Sequence, residues 1–169
     1  MLKILVVEDD AQLASTVKYL IEDNPRYRVS AIADDVESAV AAAREHQPHL
    51  ALVDLHLARG STGFAVAVRL SDFNVPCLFV SGKPPSFPTP DLALGCLVKP
   101  FTAEDVHRAL AMAEDKLRGR DALRMRLPVN LTIYDEEASE TMEVSGFIPS
   151  RPSLLTRLGH WIAARQGAS

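Results

Sequence analysis

Five short apolar runs recur along the first part of the chain, and longer segments with a different periodicity separate them. The runs are rich in Val, Ile and Leu and lie at residues 3–7, 29–33, 50–53, 77–80 and 96–98. Short continuous apolar runs of this kind are typical of strands that a sheet buries on both faces. We therefore predict five strands that form the centre of the fold.

The segments between these runs carry apolar residues at the three- and four-residue spacing of amphipathic helices. The first such segment runs from residue 13 to residue 21, and Asp10 is its predicted N-cap. Further helices are predicted around residues 36–43 and 64–70 and after Thr102. Strands that alternate with helices form βαβ units, so the pattern predicts an α/β fold with a doubly wound parallel sheet.

The interval between the fourth and fifth predicted strands interrupts this alternation. Its sequence, GKPPSFPTPDLALG, contains four prolines. A proline inside a helix costs about 3 kcal/mol, because it removes a hydrogen bond and clashes with the preceding turn. We predict that no regular helix forms before Asp91 and that the fourth helix is shortened or irregular.

Polar side chains follow the predicted strands at their carboxyl ends. Glu8 and Asp9 follow the first strand, Asp54 the third, Ser81 the fourth and Lys99 the fifth. Ligands of doubly wound sheets bind at this edge, and grouped carboxylates with incomplete coordination suit Mg²⁺. A carboxylate can also attack a phosphoryl group, whose charge a lysine and a hydroxyl would stabilise. The alternative is that these charges are structural ion pairs.

Four segments, ILVVEDD, LALVDLHL, LFVSG and LVKPF, occur in this order. Through them residues 1–118 resemble the receiver domain of two-component response regulators. The resemblance implies the flavodoxin-like strand order 2-1-3-4-5 and Asp54 as the phosphoacceptor. It also implies that Lys99 and Ser81 contact the phosphoryl group and that the Lys99–Pro100 peptide is cis.

The same resemblance implies a Mg²⁺ site. Its ligands would be Glu8, Asp9, Asp54 and the backbone carbonyl of His56, and Asp9 would bind the metal directly. We expect the side chain of His56 to be solvated.

Two features differ from most receivers. Cys96 stands three residues before the lysine, where receivers usually carry the aromatic residue that reports phosphorylation. The run Phe79–Gly82 resembles the Phe-Ala-Thr-Gly signature of an atypical subgroup with a short or missing fourth helix. We therefore expect the face that usually forms the phosphorylation-driven dimer to be altered.

Composition and charge exclude several other classes of protein. The net charge is −4, from 22 acidic and 18 basic residues, which disfavours nucleic-acid binding. Two cysteines, Cys77 and Cys96, do not form a disulfide framework, and we expect both to be reduced thiols in the core. No apolar run approaches the ~18 residues of a membrane span. We expect a cytoplasmic protein that binds no membrane.

Residues 119–169 form a C-terminal extension that matches no output domain. Residues 129–134 and 141–147 are predicted as a hairpin, and residues 153–165 as an amphipathic helix. This helix would pack on the receiver, or would bind a partner protein or a second subunit. The extension is too short for a winged helix and has no clear helix-turn-helix pattern, which disfavours DNA binding.

These features together predict a response regulator without a DNA-binding output. A sensor histidine kinase or a phosphotransfer protein would donate the phosphoryl group, with contacts at residues 11–14 and in the loop after Lys99. The protein would signal by protein–protein contact or act as a phosphate sink, and it would not be an enzyme that acts on a separate substrate. The alternatives are a phosphorylation-independent pseudo-receiver and a dimerising regulator whose extension is the effector.

Overall fold

The computed structural model describes residues 1–58, 60–120 and 127–134. This part of the chain contains six strands and four helices, and their order along the chain alternates as the sequence predicts. The strands are β1 (Leu2–Val7), β2 (Tyr27–Ala33), β3 (Leu50–Asp54), β4 (Cys77–Ser81), β5 (Gly95–Val98) and β6 (Leu131–Ile133). The helices are α1 (Ala11–Glu22), α2 (Val36–His46), α3 (Gly63–Ser71) and α4 (Ala103–Leu117).

The strands form one sheet in the order β2-β1-β3-β4-β5-β6. Strands β1 to β5 pair with one another in parallel, which confirms the predicted order 2-1-3-4-5 and the doubly wound α/β class. In this arrangement β1, β3 and β4 are central, and the carboxyl ends of all five parallel strands lie along one edge. Residues that follow these strands are therefore brought together although they lie far apart in sequence.

Two apolar layers cover the sheet. Helices α2 and α3 pack on one face with Val66, Leu70 and Phe79 in the core, and α1 and α4 pack on the other with Ile21 and Leu110. These helices bury the apolar positions whose spacing predicted them. The packed layers hold the strands in register, so the polar residues that follow the strands lie along one edge of the sheet, called the rim below.

The predicted N-caps are confirmed. The Asp10 carboxylate accepts hydrogen bonds from the backbone N–H groups of Gln12 and Leu13 at 2.8 and 2.9 Å. Thr102 caps α4 and forms a reciprocal capping box with Asp105. Asp10 therefore satisfies free N–H groups at the start of α1, which is the role that the sequence predicted for it.

Residues 82–94, all of which the structure describes, contain no helix. The prediction that no regular helix forms before Asp91 is therefore confirmed, the expected shortened or irregular fourth helix is absent altogether, and the helix after Lys99 is α4. The segment is anchored at its end, where Leu94 N–H donates to the carbonyl of Cys77 at 2.8 Å. Four prolines explain the loss of the helix, since each removes a backbone donor that a helical turn requires.

The sheet has six strands rather than the predicted five. β6 pairs antiparallel with β5, with Cys96 opposite Thr132 and Leu97 opposite Leu131. Residues 129–134 were predicted as one strand of a hairpin, and the strand does form, but it covers the outer edge of β5. An uncovered β5 would leave backbone hydrogen-bonding groups unpaired, which gives a physical reason for this pairing. Residues 141–147 and 153–165, the predicted second strand and amphipathic helix, lie outside the described residues.

The close approach of β6 depends on Gly95. A Cβ atom at this position would lie 2.3 Å from the backbone oxygen of Thr132, which is closer than any side chain tolerates. The absence of a side chain at the start of β5 is therefore what allows β6 to join the sheet.

Candidate functional site

Three charged side chains meet at the carboxyl edge of the sheet. Asp54 is the last residue of β3, Glu8 follows β1 and Lys99 follows β5. The Lys99 ammonium nitrogen lies 2.5 Å from Asp54 Oδ2 and 3.3 Å from Glu8 Oε2. Both carboxylates are 6% exposed. The structure therefore brings together three of the residues that the sequence predicted.

Burial governs the electrostatics of this cluster. It raises the pKa of Glu8, and the nearby Asp54 carboxylate raises it further, while a backbone hydrogen bond from Asp10 and the charge of Lys99 act in the opposite direction. Burial alone would lower the pKa of Lys99, but hydrogen bonds and charge from Asp54 and Glu8 outweigh it and raise that pKa. One ammonium thus stabilises two buried carboxylates, and a negative charge remains.

The loop after β3 holds the second oxygen of Asp54. The backbone N–H of His56 donates to Asp54 Oδ1 at 2.9 Å. Both carboxylate oxygens of Asp54 therefore have a donor, one from the main chain and one from Lys99. Gly63 lets α3 begin directly behind this residue, because a Cβ there would lie 2.4 Å from the backbone oxygen of Asp54.

Asp9 lies apart from the Lys99 contacts. Its Oδ2 accepts a hydrogen bond from the backbone N–H of Ala58 at 3.0 Å, and its side chain is exposed. This contact joins the end of β1 to the loop after β3. Asp9 is thus at the predicted rim, with a carboxylate that solvent reaches.

Ser81 is fully buried at the end of β4. Its hydroxyl oxygen lies 3.3 Å from Nδ1 of His56 and accepts a hydrogen bond from the backbone N–H of Lys83 at 3.2 Å. The exposed ring of His56, which the sequence predicted to be solvated, is therefore also in contact with the serine. His56 follows Asp54 by two residues, and this short spacing is the sequence feature that could have placed its ring at the same rim.

The donor set fits a magnesium ion in its chemistry. Glu8, Asp9 and Asp54 offer hard carboxylate oxygens at one rim, which are the ligands that Mg²⁺ prefers. Within residues 1–58, 60–120 and 127–134, however, no three acidic, His or Cys side chains are grouped as a ready-made metal site. Glu8 and Asp54 are instead arranged around Lys99.

The two cysteines are buried and free, as predicted. Burial raises the pKa of the Cys77 thiol to about 12. Burial also raises the pKa of Cys96 to about 11, and the charge of Asp54 contributes. Both are protonated core thiols at neutral pH, which is the state that makes a thiol least reactive.

A Glu8→Gln variant should be more stable than the wild type at pH 7, with an unfolding midpoint a few degrees higher. The folded-state pKa of Glu8 lies above its unfolded value, so the charged carboxylate destabilises the fold at any pH above both values. The difference should shrink as the pH falls and disappear below the unfolded value. Thermal unfolding from pH 4 to pH 8 measures it, and the exposed Glu45→Gln serves as the control. A destabilised variant at pH 7 would contradict the prediction.

A family model described as the response regulator receiver domain matches residues 4–111, which is more than half of the chain. The chain belongs to this family. The cis Lys99–Pro100 peptide, which the resemblance implied, is also present. No helix among the described residues is long and apolar enough to cross a membrane.

Similar proteins include regulators named PhyR. The phyllosphere-induced regulator PhyR of Methylorubrum extorquens is 30% identical over 127 residues, which cover 71% of this chain and 47% of that protein. The chain thus spans less than half the length of this relative. The receiver domain of PhyR from Erythrobacter litoralis is 26% identical with a TM-score of 0.57, and the match covers 67% of this chain and 89% of that domain. A mutant of the anti-anti-sigma factor PhyR from Bartonella quintana is 25% identical with a TM-score of 0.51, over 64% of this chain and 46% of that one.

Proposed function

We propose that this receiver accepts a phosphoryl group on Asp54 from a sensor histidine kinase or a phosphotransfer protein, with Mg²⁺ bound. The observation that carries the proposal is the position of Asp54, a buried carboxylate at a strand end with Lys99 on one oxygen and the His56 N–H on the other. Charges that served only as structural ion pairs could lie anywhere on the fold, whereas these three, at three different strand ends, meet at the edge of the sheet where ligands bind.

The chemistry needs few groups. One oxygen of Asp54 attacks phosphorus, an oxygen–phosphorus bond forms, and the bond from phosphorus to the donor's imidazole nitrogen breaks, with its electron pair retained by that nitrogen. Lys99 then neutralises a phosphoryl oxygen, and the Ser81 hydroxyl donates a hydrogen bond to another. When bound, Mg²⁺ would offset further charge on the phosphoryl oxygens, and Glu8, Asp9, Asp54 and the His56 carbonyl would hold it.

The output that we propose is a protein–protein contact or the withdrawal of phosphate from a kinase. We propose that it includes no DNA-binding step. The donor protein would contact the start of α1, where residues 11 and 12 are exposed beside the site, and the loop after Lys99. One PhyR relative is named an anti-anti-sigma factor, which supports a protein as the downstream partner. Self-catalysed phosphorylation and hydrolysis would be its only chemistry.

Phosphorylation by a small donor tests this function without the cognate kinase. Incubation of the full chain with acetyl phosphate and Mg²⁺ should add one phosphoryl group, detected by intact mass and mapped to the peptide that contains Asp54. Removal of Mg²⁺ with a chelator should lower the rate by about a hundredfold, because the anionic donor then meets uncompensated carboxylates. Ca²⁺ in place of Mg²⁺ is the matched control. An unmodified protein under all conditions would favour the phosphorylation-independent pseudo-receiver.

A further inference from the structure

Asn130 bonds to the backbone on both sides of Lys99. Its side-chain nitrogen lies 3.0 Å from the carbonyl oxygen of Val98 and 3.1 Å from that of Pro100. Its own backbone carbonyl accepts from the N–H of Val98 at 2.8 Å. One residue from the C-terminal region thus makes three hydrogen bonds to the segment that carries the site's lysine.

The orientation of the Asn130 amide follows from chemistry. Carbonyl oxygens only accept hydrogen bonds, so the NH₂ group must face Val98 and Pro100. The amide oxygen is buried and has no hydrogen-bond partner among the described residues. A buried acceptor without a partner costs free energy. The two hydrogen bonds that the amide donates offset this cost and therefore fix the orientation of the side chain.

The backbone of Lys99 itself is held from the other side. Its N–H donates to the carbonyl oxygen of Ser81 at 2.8 Å. Between Ser81 and Asn130 the peptide units around Lys99 have little freedom. The side chain leaves this fixed backbone and reaches Asp54 and Glu8. Small displacements of the backbone would therefore change the contact between the ammonium and Asp54.

We propose that Asn130 is a positioning residue for Lys99 in the phosphorylation of Asp54. It touches neither the carboxylate nor any reacting atom and acts through the backbone of Val98 and Pro100. The inference rests on the proposed function, and it makes the segment at residues 127–134 part of the phosphorylation site. A truncation at residue 121 would thus damage the site as well as remove the extension.

The segment is firmly attached where it carries Asn130. Tyr134 N–H donates to the carbonyl of Leu94 at 3.0 Å, and its own carbonyl accepts from the Lys116 ammonium at 2.8 Å. The Tyr134 side chain is 4% exposed and belongs to the same apolar cluster as Cys96. Loss of the Asn130 side chain should therefore leave β6 in place, so its effect on Lys99 can be measured separately.

The test compares rates of phosphorylation by acetyl phosphate in saturating Mg²⁺. Asn130→Ala should lower the maximal rate constant about tenfold, since the lysine is no longer held in its productive position. Asn130→Asp should lower it at least as much, because a carboxylate cannot donate to the two carbonyls and repels them. The concentration of Mg²⁺ at half-maximal rate should not change. Thr132→Ala, which changes an exposed side chain on the adjoining strand β6, should retain the wild-type rate.

A double-mutant cycle with Lys99→Ala separates positioning from a general structural effect. If Asn130 acts through the lysine, Asn130→Ala should have no further effect on the rate in the Lys99→Ala background. A tenfold effect in both backgrounds, or no effect in either, would overturn the inference. A wild-type chain that is not phosphorylated would refute the proposed function and this inference with it, whereas a phosphorylated wild type with additive variants would refute the inference alone.

Discussion

Asp54→Asn should abolish phosphorylation of the chain by acetyl phosphate, with a rate at least about a thousandfold below the wild type. The amide is not a nucleophile toward phosphorus. Among the described residues, Asp54 is the carboxylate that Lys99 contacts on one oxygen and the His56 N–H contacts on the other. The variant should still fold, because Asn has the same shape and removes one of two neighbouring buried charges. Intact mass spectrometry over time measures the labelling.

Asp91→Asn is the matched control, since Asp91 is an exposed aspartate in the segment between β4 and β5. It should be labelled at the wild-type rate. Equal labelling of the Asp54→Asn and wild-type proteins would show that another residue accepts the phosphoryl group. Circular dichroism of both variants establishes that a loss of labelling is not a loss of fold.

Lys99→Ala should lower the phosphorylation rate by about a hundredfold, as expected for the loss of one charged group that stabilises a developing charge. The wild-type ammonium lies 2.5 Å from Asp54 and 3.3 Å from Glu8. Without it, two buried carboxylates face each other with no cation between them, which destabilises their charged forms. Asp54 then loses the group that neutralises the incoming phosphoryl oxygens.

The same substitution should destabilise the fold at neutral pH by about 1–3 kcal/mol, the usual cost of losing a hydrogen bond to a buried charged group. The pKa of Lys99 is raised in the folded state, so its contribution is fully present at neutral pH and is lost only as the pH rises through that folded value. In acid the deficit should shrink as Glu8, whose pKa is raised by burial, becomes protonated. Urea unfolding at pH 4, 5.5 and 7 measures this trend.

Lys83→Ala is the control for charge alone, because Lys83 is an exposed lysine two residues after Ser81. It should change the phosphorylation rate by no more than about twofold, and it should leave the pH dependence of stability unchanged, since an exposed charge is screened by solvent. A Lys99→Ala protein that is phosphorylated as fast as the Lys83→Ala protein would contradict a role for Lys99 at the phosphoryl group.

The site was predictable where its residues are tied to local pattern. Each of Glu8, Asp54, Ser81 and Lys99 stands directly at the end of an apolar run, and parallel strands place such positions on one edge. The cap at Asp10 was predictable for the same reason, because a capping residue acts within one turn of its own chain. The prolines likewise act locally, so the lack of a regular helix before Asp91 could be predicted from the sequence.

Asn130 was not predictable in this way. It lies 32 residues after Val98, and no spacing rule connects an asparagine in a loop with a strand end so far away. The sequence correctly indicated a strand at residues 129–134. It did not indicate the partner of this strand, because the partner depends on which strand of the folded sheet has an unpaired edge. The pairing with β5 depends on the open edge of that strand and on the space that Gly95 leaves.

The sequence by itself determined the elements, the α/β class and the four strand-end residues of the site, because periodicity, capping and proline act over a few residues. Only the tertiary structure decided that Lys99 bridges Asp54 and Glu8, that the ring of His56 contacts Ser81, and that β6 brings Asn130 to the lysine segment. These contacts join residues that are 25 to 91 positions apart. Their distances depend on how the layers pack as a whole, and no local pattern of side chains contains that information.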